Sequence, residues 1–175
     1  MEFAEGVATV ADLDGFVARL GEIGAEHGAT VQAFDARYVV DRRHPERAVE
    51  LADRAIERGE NVARERAVEI LLYAAGTRQI DRALELGVSE GECPAVVLVD
   101  APEGVADPTA AERGAVAAVR TLDGPGRLDP VETLGEYDAE LVREFFDVGD
   151  AELAAVDGTL ADVVRERVAL LDVEK

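Results

Sequence analysis

Five consecutive apolar residues, Ala95-Val96-Val97-Leu98-Val99, follow Pro94 and stop at Asp100. The run is too short for a buried helix and rich in valine, so it reads as a strand buried on both faces. A strand with no polar face has to be packed between other elements. The rest of the chain supplies mostly helices for that purpose.

Leu13, Phe16, Val17, Leu20 and Ile23 form one helical stripe, with Asp12 as N-cap and Gly28 as stop. Residues 30–40 read as a second strand, with Phe34, Ala36, Tyr38 and Val40 alternating onto one face. His44-Pro45 opens a helix whose Ala48, Leu51, Ala52 and Ala55 face inward, and Gly59 ends it. Further helices are predicted over 63–75, 79–86, 109–121, 138–146, 150–155 and 159–171. In the 79–86 helix, Ile80, Ala83 and Leu84 form the apolar side. The closing Val-Ala-Leu-Leu-Asp-Val is also readable as a strand. Residues 101–108 and 123–130 carry loop signals, and 101–135 reads as a variable region. The expected fold class is α/β in the α+β sense: a small, mostly antiparallel sheet packed by about seven helices. Its 175 residues fit a single domain.

Apolar residues make up 48% of the chain, enough for a sizeable core. No run approaches the roughly 18 apolar residues of a membrane span. The acidic start, Met1-Glu2-Phe3-Ala4-Glu5, lacks the pattern of a signal peptide, so a cytoplasmic location and no membrane partner are expected. One cysteine, Cys93, excludes an intrachain disulfide and a Cys-based zinc cluster, and reads as a small buried hydrophobe.

Asp and Glu total 38 against 18 Lys and Arg, for a net charge of −20, and the basic set holds seventeen arginines and one lysine. Coding bias and a salty cytoplasm both produce such a composition. At about 1 M salt the screening length falls to about 3 Å, so repulsion between carboxylates matters little. The near-absence of lysine favours the salt-accumulating, halophilic reading. The charge is uneven, however. Residues 35–82 hold ten arginines and ten acidic residues, so the rest of the chain carries the whole excess. Two readings stand. Helix-surface pairing, as between Glu50 and Arg54, is one. A face kept neutral because it meets an anion is the other.

Signatures of catalysis are missing. No GxGxxG, Walker A or GxSxG pattern occurs, and the one serine is Ser89. His27 and His44 have no metal-ligand spacing. His44 suits a helix-entry role or the orientation of a ligand. The sequence therefore predicts no enzyme, no metal and no cofactor. A stand-alone enzyme would need carboxylates or His44 converging in a pocket.

One segment has unusual texture: Glu69-Ile-Leu-Leu-Tyr-Ala-Ala-Gly76-Thr77-Arg78-Gln79-Ile80. Gly76 permits close backbone approach, and Thr77 is placed to cap the following helix. Arg78 and Gln79 add a planar fork and an amide, both suited to phosphate or base edges. A plain helix–turn–helix corner is the competing reading.

EILLYAAGTRQIDRAL resembles the hallmark of the kinase-binding subunit family of the KEOPS tRNA-modification complex, whose human relative is the PRPK-binding protein. VQAFDARYVVDRRHPERAVELADRAI, CPAVVLV and LADVVRERVALLDV are similar to the family in the same order; the 101–135 region matches poorly. With its charge, the chain looks like a haloarchaeal type. The resemblance implies a non-catalytic subunit that binds a small atypical protein kinase, and meets other KEOPS subunits indirectly. It also implies recruitment of tRNA by its 3′ CCA end for threonylcarbamoyl-adenosine modification. Carried over by motif, Gly76, Thr77, Arg78, Gln79 and Ile80 are the candidate RNA contacts. Arg42 and Arg43 join them on charge and nearness to His44. Tyr38 and Tyr73 are possible stacking platforms for bases. Kinase contact is assigned to Leu84, Leu86, Leu170 and Leu171. A pure protein–protein adaptor without RNA contact is the alternative.

Overall fold

The computed structural model describes residues 1–173. Its elements run β1 (Glu2–Val10), α1 (Leu13–His27), β2 (Thr30–Asp35), α2 (Arg43–Arg58), α3 (Arg66–Ala75), α4 (Ile80–Ala83), β3 (Gly91–Asp100), α5 (Pro108–Arg120), β4 (Gly126–Pro130), α6 (Ala139–Phe145), α7 (Asp150–Ala155) and α8 (Leu160–Val173). Short 3-10 turns cover Ala36–Tyr38 and Leu84–Leu86. The described residues thus form an α+β fold of eight helices and one four-stranded antiparallel sheet, as the residue pattern led one to expect. The chain divides into two compact units, residues 1–36 with 88–133, and 37–87 with the described residues from 134 onward.

The first unit has the order β1-α1-β2-β3-α5-β4, with strands side by side as β2-β3-β1-β4. That is a ferredoxin-like split βαβ arrangement, in which each crossover spans one intervening strand. Ala95 to Val99 on β3 are fully buried, so the two-sided strand is real. Phe16, Leu20 and Ile23 of α1 pack with Ala115 and Val119 of α5 against Ala4, Ala8, Cys93, Val97 and Val99. Asp12 caps α1 by accepting the Gly15 amide at 3.3 Å, and Gly28 ends it in the left-handed region.

Two strands were not foreseen. On β1 the inward positions Ala4, Gly6 and Ala8 are small, so the alternation carries little hydropathy. Gly6 has to be small, because a Cβ there would lie 2.4 Å from the Asp129 carbonyl oxygen on β4. β4 is an edge strand with Leu128 inward and Arg127 and Asp129 outward, a pattern that protects an edge but looks like a loop. β2 is shorter than expected. Its next partner in register would be Pro94, which has no amide to donate, and the chain turns into the 3-10 segment instead.

The second unit is helical. α2 packs on α3 and α8, and α3 also touches α4. α3 starts at Arg66 because the Glu69 carboxylate turns the preceding chain, accepting the amides of Val62 (3.1 Å) and Ala63 (2.9 Å). The predicted 79–86 helix is a single turn followed by the 3-10 segment. With three residues per turn, Ala83 and Leu86 share the inner side, while Ile80 and Leu84 face outward. The end of α8 stays helical to Val173.

Candidate nucleic-acid interface

The corner after α3 is built by the backbone. Gly76 lies at φ 63°, its amide donating to the Tyr73 carbonyl (3.0 Å) and the Thr77 amide to the Leu72 carbonyl (3.1 Å). Those two bonds form a Schellman motif, which satisfies the free carbonyls of the last turn. Thr77 does not cap α4, contrary to expectation. Its hydroxyl oxygen accepts the Gln79 amide at 3.1 Å, making a local turn, and Gln79 itself precedes α4 without a capping bond. A four-residue helix also offers no useful anion-binding end.

Gly76 and Thr77 are half-buried, whereas Arg78, Gln79 and Ile80 are exposed. The Arg78 guanidinium makes one long bond, 3.4 Å, to the Leu171 carbonyl near the end of α8. His44 holds the corner from below. It is buried, its Nε2 donates to the Ala74 carbonyl at 2.8 Å, and its Nδ1 accepts the Val40 amide at 3.4 Å. Both bonds require the neutral Nε2–H tautomer. Burial accordingly pushes its pKa below the ordinary value of 6.5. The ring also stands edge-on to Phe146, 5.9 Å away. His44 is thus a buried structural residue at the helix entry.

Beside the corner runs a shallow groove of about 250 Å³, lined by Gly76, Thr77, Gln79, Arg82, Phe145, Phe146, Asp147 and Arg167. Its far wall is the end of α6, a second Schellman corner. Asp147 sits at φ 53°, its amide reaching the Glu144 carbonyl (3.4 Å) and the Val148 amide the Arg143 carbonyl (2.9 Å). The carbonyls at this negative helix end fix two arginines. Arg82 donates to the Phe145 carbonyl (2.7 Å) and lies 4.1 Å over that residue's ring. Arg167 donates to the carbonyls of Phe146 and Asp147, both at 3.3 Å.

Each guanidinium also meets a carboxylate. Arg82 pairs with Glu85 at 3.0 Å, and Arg167 with both oxygens of Glu152 at 2.7 Å. The Arg167 hydrogen bonds hold the Glu152 pKa below the usual carboxylate range, and Glu152 raises that of Arg167.

The other predicted residues divide. Arg42 and Arg43 are exposed at the start of α2, but Arg42 pairs with Glu46 at 2.9 Å. Elsewhere in the neutral segment Arg47 pairs with Glu50, Arg66 with Asp53 and Arg54 with Asp172. The expected Glu50–Arg54 pair is therefore replaced, yet pairing accounts for much of the neutrality. Tyr73 is only 2% exposed and is core, not a platform. Tyr38 is half-buried, edge-on to Phe145 at 5.6 Å. Of the four leucines assigned to kinase contact, Leu84 and Leu170 are exposed. Leu86 and Leu171 are buried in the helical unit, and a partner does not reach them; this corrects their assignment. Arg82, Arg167 and the Phe145-Phe146-Asp147 wall went unnoticed in the sequence. The Phe-Phe pair at the end of a helix was the available signal. The left-handed Asp147 had none.

Among the described residues no cluster of His, Cys, Asp or Glu is arranged to hold a metal ion, and no helix is long and apolar enough to cross a membrane. The helical unit thus presents a polar corner beside an arginine-lined groove. Residues 17–172 match the family described as kinase binding protein CGI-121, and the chain belongs to that family. No curated protein matches it.

Proposed function

We propose that this chain is a cytoplasmic, non-catalytic KEOPS subunit that binds and regulates the complex's small kinase and recruits tRNA by its 3′ CCA end for threonylcarbamoyl-adenosine modification. Membership of a kinase-binding family supports the first half. One observation carries the second: the exposed Arg78-Gln79-Ile80 corner adjoins a groove whose two arginines are anchored on backbone carbonyls.

The chain's net charge of −20 repels RNA at long range. In molar salt that repulsion is screened, and counterion release adds little affinity in return. Recognition then rests on short-range contacts. A single-stranded end offers unstacked bases, which pack on guanidinium planes and hydrogen-bond by their edges. Arg82, with Phe145 beneath it and 41% of its side chain exposed, suits that role. Gln79 and Arg78 suit base edges and phosphate.

The test compares tRNA with and without its CCA end, binding to the purified protein in molar KCl. Much weaker binding of the truncated tRNA is expected; equal binding would remove the RNA half. A second reading, the pure protein adaptor, draws on exposed Ile80, Leu84 and Leu170. Recovery of kinase without any tRNA binding would favour it.

A further inference from the structure

α7 is an unusual helix in this fold. None of its six residues is buried. Two ion pairs from its first turn hold it to its neighbours, Asp150 to Arg143 of α6 and Glu152 to Arg167 of α8. The second pair occupies the groove arginine. Arg167 is fixed twice over. Its Nε and one Nη bond to the carbonyls of Phe146 and Asp147, which have no charge to lose and stay in place. Its two Nη groups meet the Glu152 carboxylate in a two-pronged pair, the geometry a guanidinium also offers to a phosphate.

We propose that Glu152 is a built-in competitor for the groove: its carboxylate stands in for an anionic group of the ligand, and α7 swings away when that group takes Arg167. This rests on the reading of the groove as a binding place for the 3′ end of tRNA, where the anionic group is a backbone phosphate. The arrangement suits an exchange. The guanidinium remains aimed into the groove by the two carbonyls, so the incoming phosphate meets a pre-positioned fork. The departing helix gives up no fully buried residue, only the half-covered surface of Leu153. The exchange also adds selectivity, since an anion without further contacts to the corner has to displace an internal carboxylate that is already in position.

Glu152→Gln keeps the size of the side chain and removes the competing charge. Asp157→Asn is the control: it removes one charge from an exposed position in the following loop. Binding of tRNA with and without CCA is measured for the protein, both variants and the double variant Glu152→Gln/Arg167→Gln in molar KCl. Release of this half-buried, solvent-screened pair predicts about threefold tighter binding of CCA-bearing tRNA by Glu152→Gln. The control stays unchanged, and the gain disappears in the double variant. Equal gains in Glu152→Gln and Asp157→Asn would reduce the effect to net charge and overturn the competitor. CCA-selective binding by the unaltered protein with no gain in Glu152→Gln would overturn the competitor while leaving the tRNA reading intact. Absence of CCA selectivity in every form would overturn both.

Discussion

The imidazole of His44 donates to the carbonyl of Ala74 across 2.8 Å, joining the first turn of α2 to the last turn of α3, two residues before Gly76. A buried, neutral histidine is therefore part of the corner that presents Arg78 and Gln79. Below about pH 6.5 the unfolded chain protonates this ring, whereas the folded protein, with its lowered pKa, does not. The stabilisation is thus complete above the ordinary value and is lost as pH falls below it. One such proton corresponds to about 1.4 kcal/mol per pH unit until the folded pKa is reached. His44→Gln cannot titrate. The stability difference between protein and variant, from denaturant melts at fixed KCl, should shrink between about pH 7 and pH 5. A constant difference over that range would show that His44 is not held neutral.

Two left-handed residues end the helices on either side of the groove, Gly76 at φ 63° and Asp147 at φ 53°. A Cβ at Gly76 meets nothing closer than 3.6 Å, so Gly76→Ala adds backbone strain without a clash. About 1 kcal/mol of destabilisation is expected. Asp147→Gly removes the same strain and should be neutral or stabilising by up to about 1 kcal/mol. Thermal midpoints of both variants decide the matter. Opposite signs would mean that the corner conformations are not as described.

Leu84 and Leu86 are two residues apart and have different roles. Leu86 is fully buried and Leu84 is 54% exposed. Leu86→Ala should destabilise the protein by about 2–4 kcal/mol, as buried leucines do. Leu84→Glu should leave the denaturation midpoint almost unchanged and weaken kinase capture in a pull-down at native salt. Undiminished capture by Leu84→Glu would place the kinase on another face.

Stability should rise with KCl up to about 1 M, where screening is nearly complete at contact distances. Salt also weakens the exposed pairs such as Arg42–Glu46 and Arg47–Glu50, but each contributes only about 0.2–1 kcal/mol. The unbalanced charge of −20 is spread over the whole molecule, so its relief dominates. Thermal melts across a KCl series check this. A midpoint highest in dilute buffer would contradict the halophilic reading.

The sequence revealed elements that announce themselves by hydropathy or by capping. The Ala95–Val99 run, the Asp12 cap and the Gly28, Gly59 and Gly76 stops all fall where the residues indicate. It concealed elements whose inward residues are small or few. β1 buries alanine and glycine, and β4 buries little beyond Leu128 and Gly126. The corner was legible through Gly76, since a glycine after a helical stripe has a specific backbone use. The groove was not. Arg82 and Arg167 are 85 positions apart in the chain, and only the fold brings them to adjacent carbonyls, Arg82 to that of Phe145 and Arg167 to those of Phe146 and Asp147. Whether a leucine in 79–86 faces in or out depended on the helix changing to a 3-10 turn at Leu84, and spacing alone did not show that change.

Arg78 gives the most direct test of the corner. Its side chain is exposed and its one long bond is to the Leu171 carbonyl, so Arg78→Glu should change stability by no more than about 0.5 kcal/mol. An arginine bonded to phosphate contributes about 1.5–3 kcal/mol, and charge reversal should weaken CCA-bearing tRNA by at least about tenfold. Arg78→Lys separates charge from geometry. Lysine keeps the positive charge and loses the planar fork, so binding should fall between the two if the fork matters. In molar salt a simple long-range attraction is already screened. Full recovery by lysine would therefore point to a single point-charge contact, and no loss in Arg78→Glu would take this residue out of the interface.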